Sequence, residues 1–87
     1  MAVRRRRAER ASQYGEDTYV ELQKRLAANV RAQRKALGWT QEQAAHECQM
    51  PTRLLQSVES GKVNLTLTTL ARLVNGLKVD ASELLAR

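Results

Sequence analysis

The chain has 87 residues, of which 43% are hydrophobic and only 3% aromatic, a formal charge of +6 and one cysteine. That length supports one small domain whose core must come from Leu, Val and Ala, with modest stability unless association buries further surface. It excludes an internal disulfide framework, and no apolar stretch has the length of a signal-peptide core or a membrane span, so a reducing, cytoplasmic setting is expected.

Residues 1–13 hold Arg4, Arg5, Arg6, Arg7 and Arg10 against Glu9 and so carry +4 of the +6 charge. They lack apolar periodicity and are expected to form a flexible basic arm, suited to a polyphosphate partner. Residues 14–87 form the domain. Thr18 with Glu21 reads as a capping box that starts a long first helix, with Leu22, Leu26, Val30 and Leu37 facing inward and Gly38 as its stop. Lys24, Arg25, Arg31 and Lys35 read as a solvated face of that helix, while Tyr14, Tyr19 and Val20 extend it without an assigned partner.

Thr40 with Gln43 forms a second capping box, and Trp39 stands where a hydrophobic staple onto Ala44 would begin. Ala44, Ala45 and Cys48 recur at helical spacing, small enough to let another helix cross closely. In the next segment Leu54, Leu55 and Val58 supply an apolar face, and Thr52, Arg53, Gln56 and Ser57 lie between them. Lys62 to Thr66 reads as a loop. Thr66 caps a fourth helix bearing Leu67, Leu70, Leu73 and Val74, and Asp80 with Glu83 caps a short fifth one that ends in Leu84 and Leu85. The fold class is therefore all-α with about five helices. Two short helices joined tightly between Thr40 and Gly61 have the layout of a helix-turn-helix, a motif that lays its second helix in the major groove of DNA.

The run LGWTQEQAAHECQMPTRLLQSVESGKVNLTLTTLARLVNGLKVDASELL, from Leu37 to Leu85, resembles the phage-repressor and Cro-like helix-turn-helix family, the XRE family. The L-G-x-T-Q-E-x-A-A opening, the V-E-x-G-K close of the recognition helix and the T-L-x-x-L-A-x-L-V run behind it carry the resemblance in their combined order and spacing. It implies a lambda-repressor-like domain that binds double-stranded DNA as a homodimer. It implies base contacts from Thr52, Arg53 and Ser57, phosphate contacts from Gln41, Ser60, Lys62 and Asn64, and a structural ion pair between Arg34 and Glu59. Arg53 is the leading reader, because a guanidinium can donate two hydrogen bonds to the O6 and N7 edge of guanine; a phosphate grip is its alternative.

Two positions depart from the family pattern. Gln49 stands where the turn usually has glycine, and a left-handed non-glycine residue costs about 1 kcal/mol. Pro51 replaces the usual serine or threonine cap, which suits a first helical turn but leaves the start free to slip by one residue. If Thr52 became the cap, its hydroxyl would be taken by the backbone and withdrawn from reading.

No catalytic constellation is present. His46 is a lone surface histidine without partners for metal or acid–base chemistry, and Cys48 is a small core residue, so neither an enzyme nor a cofactor nor a metal is expected. One short helix reads too few base pairs to select a site alone, so a homodimer on a two-fold operator is expected, blocking or recruiting RNA polymerase. Leu77, Leu84 and Leu85 form the preferred candidate dimer patch and Tyr14, Tyr19 and Val20 a second, with ordinary core packing the alternative for either. Two other readings stay open: an antitoxin that neutralises a toxin and binds DNA secondarily, and an RNA-binding protein using its arginine-rich arm.

Overall fold

A computed structural model describes the backbone of residues 2–87 and the side chains of residues 17–87. The protein is all-α, with five helices in order: α1 (Ala2–Ala36), α2 (Gln41–Glu47), α3 (Thr52–Glu59), α4 (Leu67–Leu77) and α5 (Ala81–Leu84). Thr18 lies inside α1, so the helix start read from its capping signal is not used. That signal is purely local, and no proline precedes it to interrupt a helix. The side chains of Arg4, Arg5, Arg6, Arg7 and Arg10 lie outside the described residues.

The remaining punctuation follows local chemistry. Gly38, at φ 74°, ends α1, with its own N–H donating to Lys35 O at 3.0 Å and that of Trp39 to Arg34 O at 3.1 Å. At the start of α2, Thr40 Oγ1 accepts from the Gln43 N–H at 3.1 Å and Gln43 Oε1 accepts from the Thr40 N–H at 2.8 Å. Gln49 adopts the left-handed conformation at φ 54°, which lets Met50 N–H close onto Ala45 O at 3.0 Å. Asp80 and Glu83 form the expected reciprocal cap of α5.

A single core gathers Leu26 and Val30 of α1, Ala44, Ala45 and Cys48 around α2, Leu55 and Val58 of α3, and Leu73, Leu77 and Leu84 from the C-terminal half. Each fully buried leucine contributes about 1.5–3 kcal/mol of transfer free energy. Leu37, Trp39, Leu54, Leu70 and Val74 pack against this core without being fully enclosed. Two leucines expected inside are not: Leu22 is 38% exposed and Leu67 is 80% exposed. Periodicity names the face of a helix, but nothing in the fold covers these two ends of it. Conversely, Leu77 and Leu84 are fully buried, so only Leu85 of the C-terminal candidate patch reaches the surface.

Amide side chains of α1 tie down the C-terminal half. Gln23 Nε2 donates to Val63 O at 3.0 Å, Gln33 Nε2 to Leu77 O at 3.0 Å, and Asn29 Nδ2 to Leu84 O at 2.9 Å and Ala86 O at 2.7 Å. These bonds satisfy carbonyls at chain and helix ends that would otherwise lack partners. No buried polar side-chain atom among the described residues is left unpaired.

Helix α4 lies across the C-terminal end of α2, with Gly76 against Cys48. Burial there, assisted by the neighbouring Glu47 charge, pushes the Cys48 thiol from 9.0 up to about 11. Because the folded value lies above the unfolded one, the stability contributed by the neutral thiol is complete below pH 9.0 and is lost as pH rises towards about 11. Iodoacetamide should therefore leave the native protein unmodified at neutral pH and alkylate it once denaturant is added. Cys48→Ala should remove part of the alkaline loss of stability. Native labelling at the rate of a free thiol would contradict this assignment.

Candidate nucleic-acid interface

The surface in question is built around α3, whose inner face carries Leu55 and Val58 in the core and whose outer face carries Arg53 and Gln56 in solvent. Pro51 is the N-cap residue, at φ −63° and ψ 145°, and makes no side-chain capping bond. Thr52 is thus the first helical residue and half-buried, and its hydroxyl is not taken by a cap. The helix start does not slip, because the fixed φ of proline already suits the residue that enters a helix.

Arg53 and Ser57 lie one turn apart. Ser57 is half-buried and its hydroxyl donates to Arg53 O at 3.1 Å, which leaves its oxygen lone pairs as acceptors. The Arg53 side chain is exposed and makes no hydrogen bond or ion pair with the described residues, leaving the guanidinium fork open. At the other end, Ser60 Oγ donates to Ser57 O at 2.8 Å. Gly61, at φ 73°, then turns the chain, with its N–H on Val58 O at 3.1 Å and the Lys62 N–H on Ser57 O at 3.2 Å. Lys62 and Asn64 follow this turn and are exposed.

The angle of α3 to the rest of the domain is set by Arg34 and Glu59, whose side chains are 13% and 4% exposed. Arg34 Nε donates to Glu59 Oε2 at 2.6 Å and Nη2 to Glu59 Oε1 at 3.0 Å, a bidentate fork-to-carboxylate match. Its Nη1 donates to Trp39 O at 3.0 Å, so one guanidinium joins α1, the entrance to α2 and the end of α3. The hydrogen bond to Glu59 raises the Arg34 pKa above its ordinary value against the opposing effect of burial, which keeps the group charged. Arg31, read from sequence as a solvated charge, donates through Nη1 to Glu59 O at 3.1 Å and so caps the C-terminal end of α3.

Gln41, expected to meet phosphate, is half-buried and engaged within the protein. Its Nε2 donates to Glu59 Oε1 at 3.1 Å, and its Oε1 accepts from Gln56 Nε2 at 3.4 Å. The geometry thus brings Thr52, Arg53, Gln56, Ser57 and Gln41 together, with Ser60, Lys62 and Asn64 at the helix end. Gln56 is not among the contacts that the family resemblance implies, and its one signal in the sequence is a polar residue one turn beyond Thr52. Among the described residues there is no group of three or more metal-ligating side chains and no helix long and apolar enough to cross a membrane.

Comparison with known proteins matches residues 30–84 to the family described as Helix-turn-helix. A solved structure from Neisseria, the hypothetical transcription factor NHTF, is 32% identical, with a TM-score of 0.71 over 75% of each chain. A transcriptional regulator of the HTH_3 family from Vibrio cholerae shares the fold at 23% identity and a TM-score of 0.72; the match covers 76% of this chain and 37% of that one. No match is found among curated proteins. The chain belongs to the XRE-type helix-turn-helix family of DNA-binding transcription regulators.

Proposed function

We propose that this protein is a sequence-specific DNA-binding transcriptional regulator that acts as a homodimer at a two-fold operator. The observation that carries this reading is α3 itself. Its apolar face is buried, its far end is held by Arg34 and Glu59, and Arg53 stands free on the outer face. Arg53, Thr52 and Ser57 read bases, and Ser60, Lys62 and Asn64 grip phosphates, while the basic arm of residues 1–13 adds sequence-independent attraction.

Dimerisation is assigned to an apolar groove of about 310 Å³ between α1 and the start of α4, whose wall includes Tyr19, Leu22, Leu67, Leu70 and Leu85. Tyr19, Leu22 and Leu67 are large apolar side chains left exposed along it, and a second copy covering them would supply burial that one small domain lacks. Its rim, Val63 to Thr66, continues directly from Lys62, so a dimer formed there lies close in sequence to the end of each reading helix. Apolar surface still exposed after the dimer forms would favour the antitoxin reading.

Selection of bound duplexes from a random pool tests the proposal, because it reports specificity, half-site spacing and symmetry together. Two symmetric half-sites about one helical turn apart are expected. Arg53→Ala should weaken the selected site by about 1–3 kcal/mol per half-site while leaving binding to random duplex nearly intact. Equal loss on both DNAs would make Arg53 a phosphate contact.

A further inference from the structure

We infer that Gln56 is a base-reading residue that selects adenine, and that Gln41 is the positioning residue that orients its amide. This rests on the DNA-binding reading above and specifies it further. A hydrogen-bond chain runs from the buried Glu59 carboxylate through Gln41 to Gln56. The Glu59 carboxylate can only accept, and its Oε1 already receives Arg34 Nη2 at 3.0 Å and Gln41 Nε2 at 3.1 Å. Gln41 must therefore turn its NH2 group toward Glu59 and its carbonyl oxygen outward. That oxygen in turn can only accept, so Gln56 must present an N–H to it, at 3.4 Å.

Polarity thus passes from a buried ion pair to the exposed face of α3, setting the amide orientation of Gln41 and biasing that of Gln56. The last link is the longest, so Gln56 is steered and not clamped. Its second N–H and its Oε1 have no partner among the described residues, and the side chain is exposed. A donor and an acceptor side by side match the adenine edge in the major groove, where N7 accepts and the N6 amino group donates. Guanine offers two acceptors, N7 and O6, and would set the Gln56 oxygen against a second oxygen. Arg53, three residues earlier on the same helix face, has the complementary fork of donors alone and suits guanine. Orienting Gln56 before DNA arrives also removes part of the rotamer entropy that a free glutamine would lose on binding.

The experiment is duplex selection from a random pool with the full chain as wild type, Gln56→Ala and Gln41→Ala, each first checked for an unchanged far-UV spectrum. Wild type should enrich adenine at one position per half-site, with a preference of about 5- to 100-fold over the other bases. Gln56→Ala should flatten that position while the guanine preference attributed to Arg53 persists. Gln41→Ala should reduce adenine discrimination at the same position and leave the others unchanged, which a purely structural or phosphate-binding role would not do. A wild type that enriches duplexes, with a Gln56→Ala variant of identical base preferences, overturns this assignment alone. Uniform weakening by Gln41→Ala at every position overturns the positioning role. A wild type that enriches no sequence overturns the DNA-binding reading together with it.

Discussion

Glu59→Ala should lower the unfolding free energy by about 3–5 kcal/mol, and Arg34→Ala by a similar amount, because each leaves a charged partner stranded in a largely dry place. The two side chains are only 4% and 13% exposed, so water does little to compensate the charge left behind. Loss of Glu59 also removes the acceptor for Gln41 Nε2, and loss of Arg34 removes the donor to Trp39 O, so either change undoes more than one bond. Against a total of roughly 5–15 kcal/mol for a domain, an effect of that size is a large share of what holds the fold. Replacing both residues together by methionine should cost less than either alanine alone, since the pair's own contribution is small once desolvation is counted and apolar side chains refill the volume. Urea denaturation of the three variants decides the matter. Single variants within about 1 kcal/mol of the parent would place the pair in the class of exposed bridges.

What could be read from the sequence was what is decided within one helical turn. The Thr40–Gln43 and Asp80–Glu83 caps formed as expected because donor and acceptor are three residues apart, and the left-handed turn fell on Gln49 because the helix before it must end there. The same local rule misled at Thr18, where the helix ran on past the cap. Burial was less legible. Leu67 fits the apolar stripe of α4 yet is 80% exposed, because a stripe records which side chains favour burial and not which element is present to cover them. At the interface, Arg34 and Glu59 were paired through the family resemblance, since 25 residues of separation give no periodic signal. The link between Gln41 and Gln56 joins two helices through side chains and was visible only once α2 and α3 were placed.

Gly76→Ala should be the most damaging of the glycine-to-alanine changes among the described residues, although it improves intrinsic helix propensity by about 1 kcal/mol. Gly76 lies inside α4 at negative φ, so the reason for glycine is space. A Cβ built there would sit 2.6 Å from Cys48 Cα and 2.8 Å from Cys48 N, and would also collide with Cys48 Sγ. Backbone atoms at the C-terminal end of α2 cannot rotate away as a side-chain tip can, so α4 must lift off α2. That movement would open the core beneath Leu73 and Leu77, both fully buried. Overpacking of this kind costs about 1–3 kcal/mol and occasionally more; because the clash is with backbone, a cost at the upper end is expected, which leaves a net loss of about 2 kcal/mol after the propensity gain. For a domain of this size that is a fall of about 10 °C in Tm. Gly38→Ala separates crowding from conformation: nothing lies within 4 Å of its Cβ, so only the φ of +74° penalises it, by about 1 kcal/mol. Adding Cys48→Ala to Gly76→Ala removes Sγ but neither backbone contact, and should restore little of the loss. Recovery of the parent Tm in that double variant would show that the thiol alone enforces glycine at this crossing, and an unchanged Tm in Gly76→Ala would show that the two helices are not in such close contact.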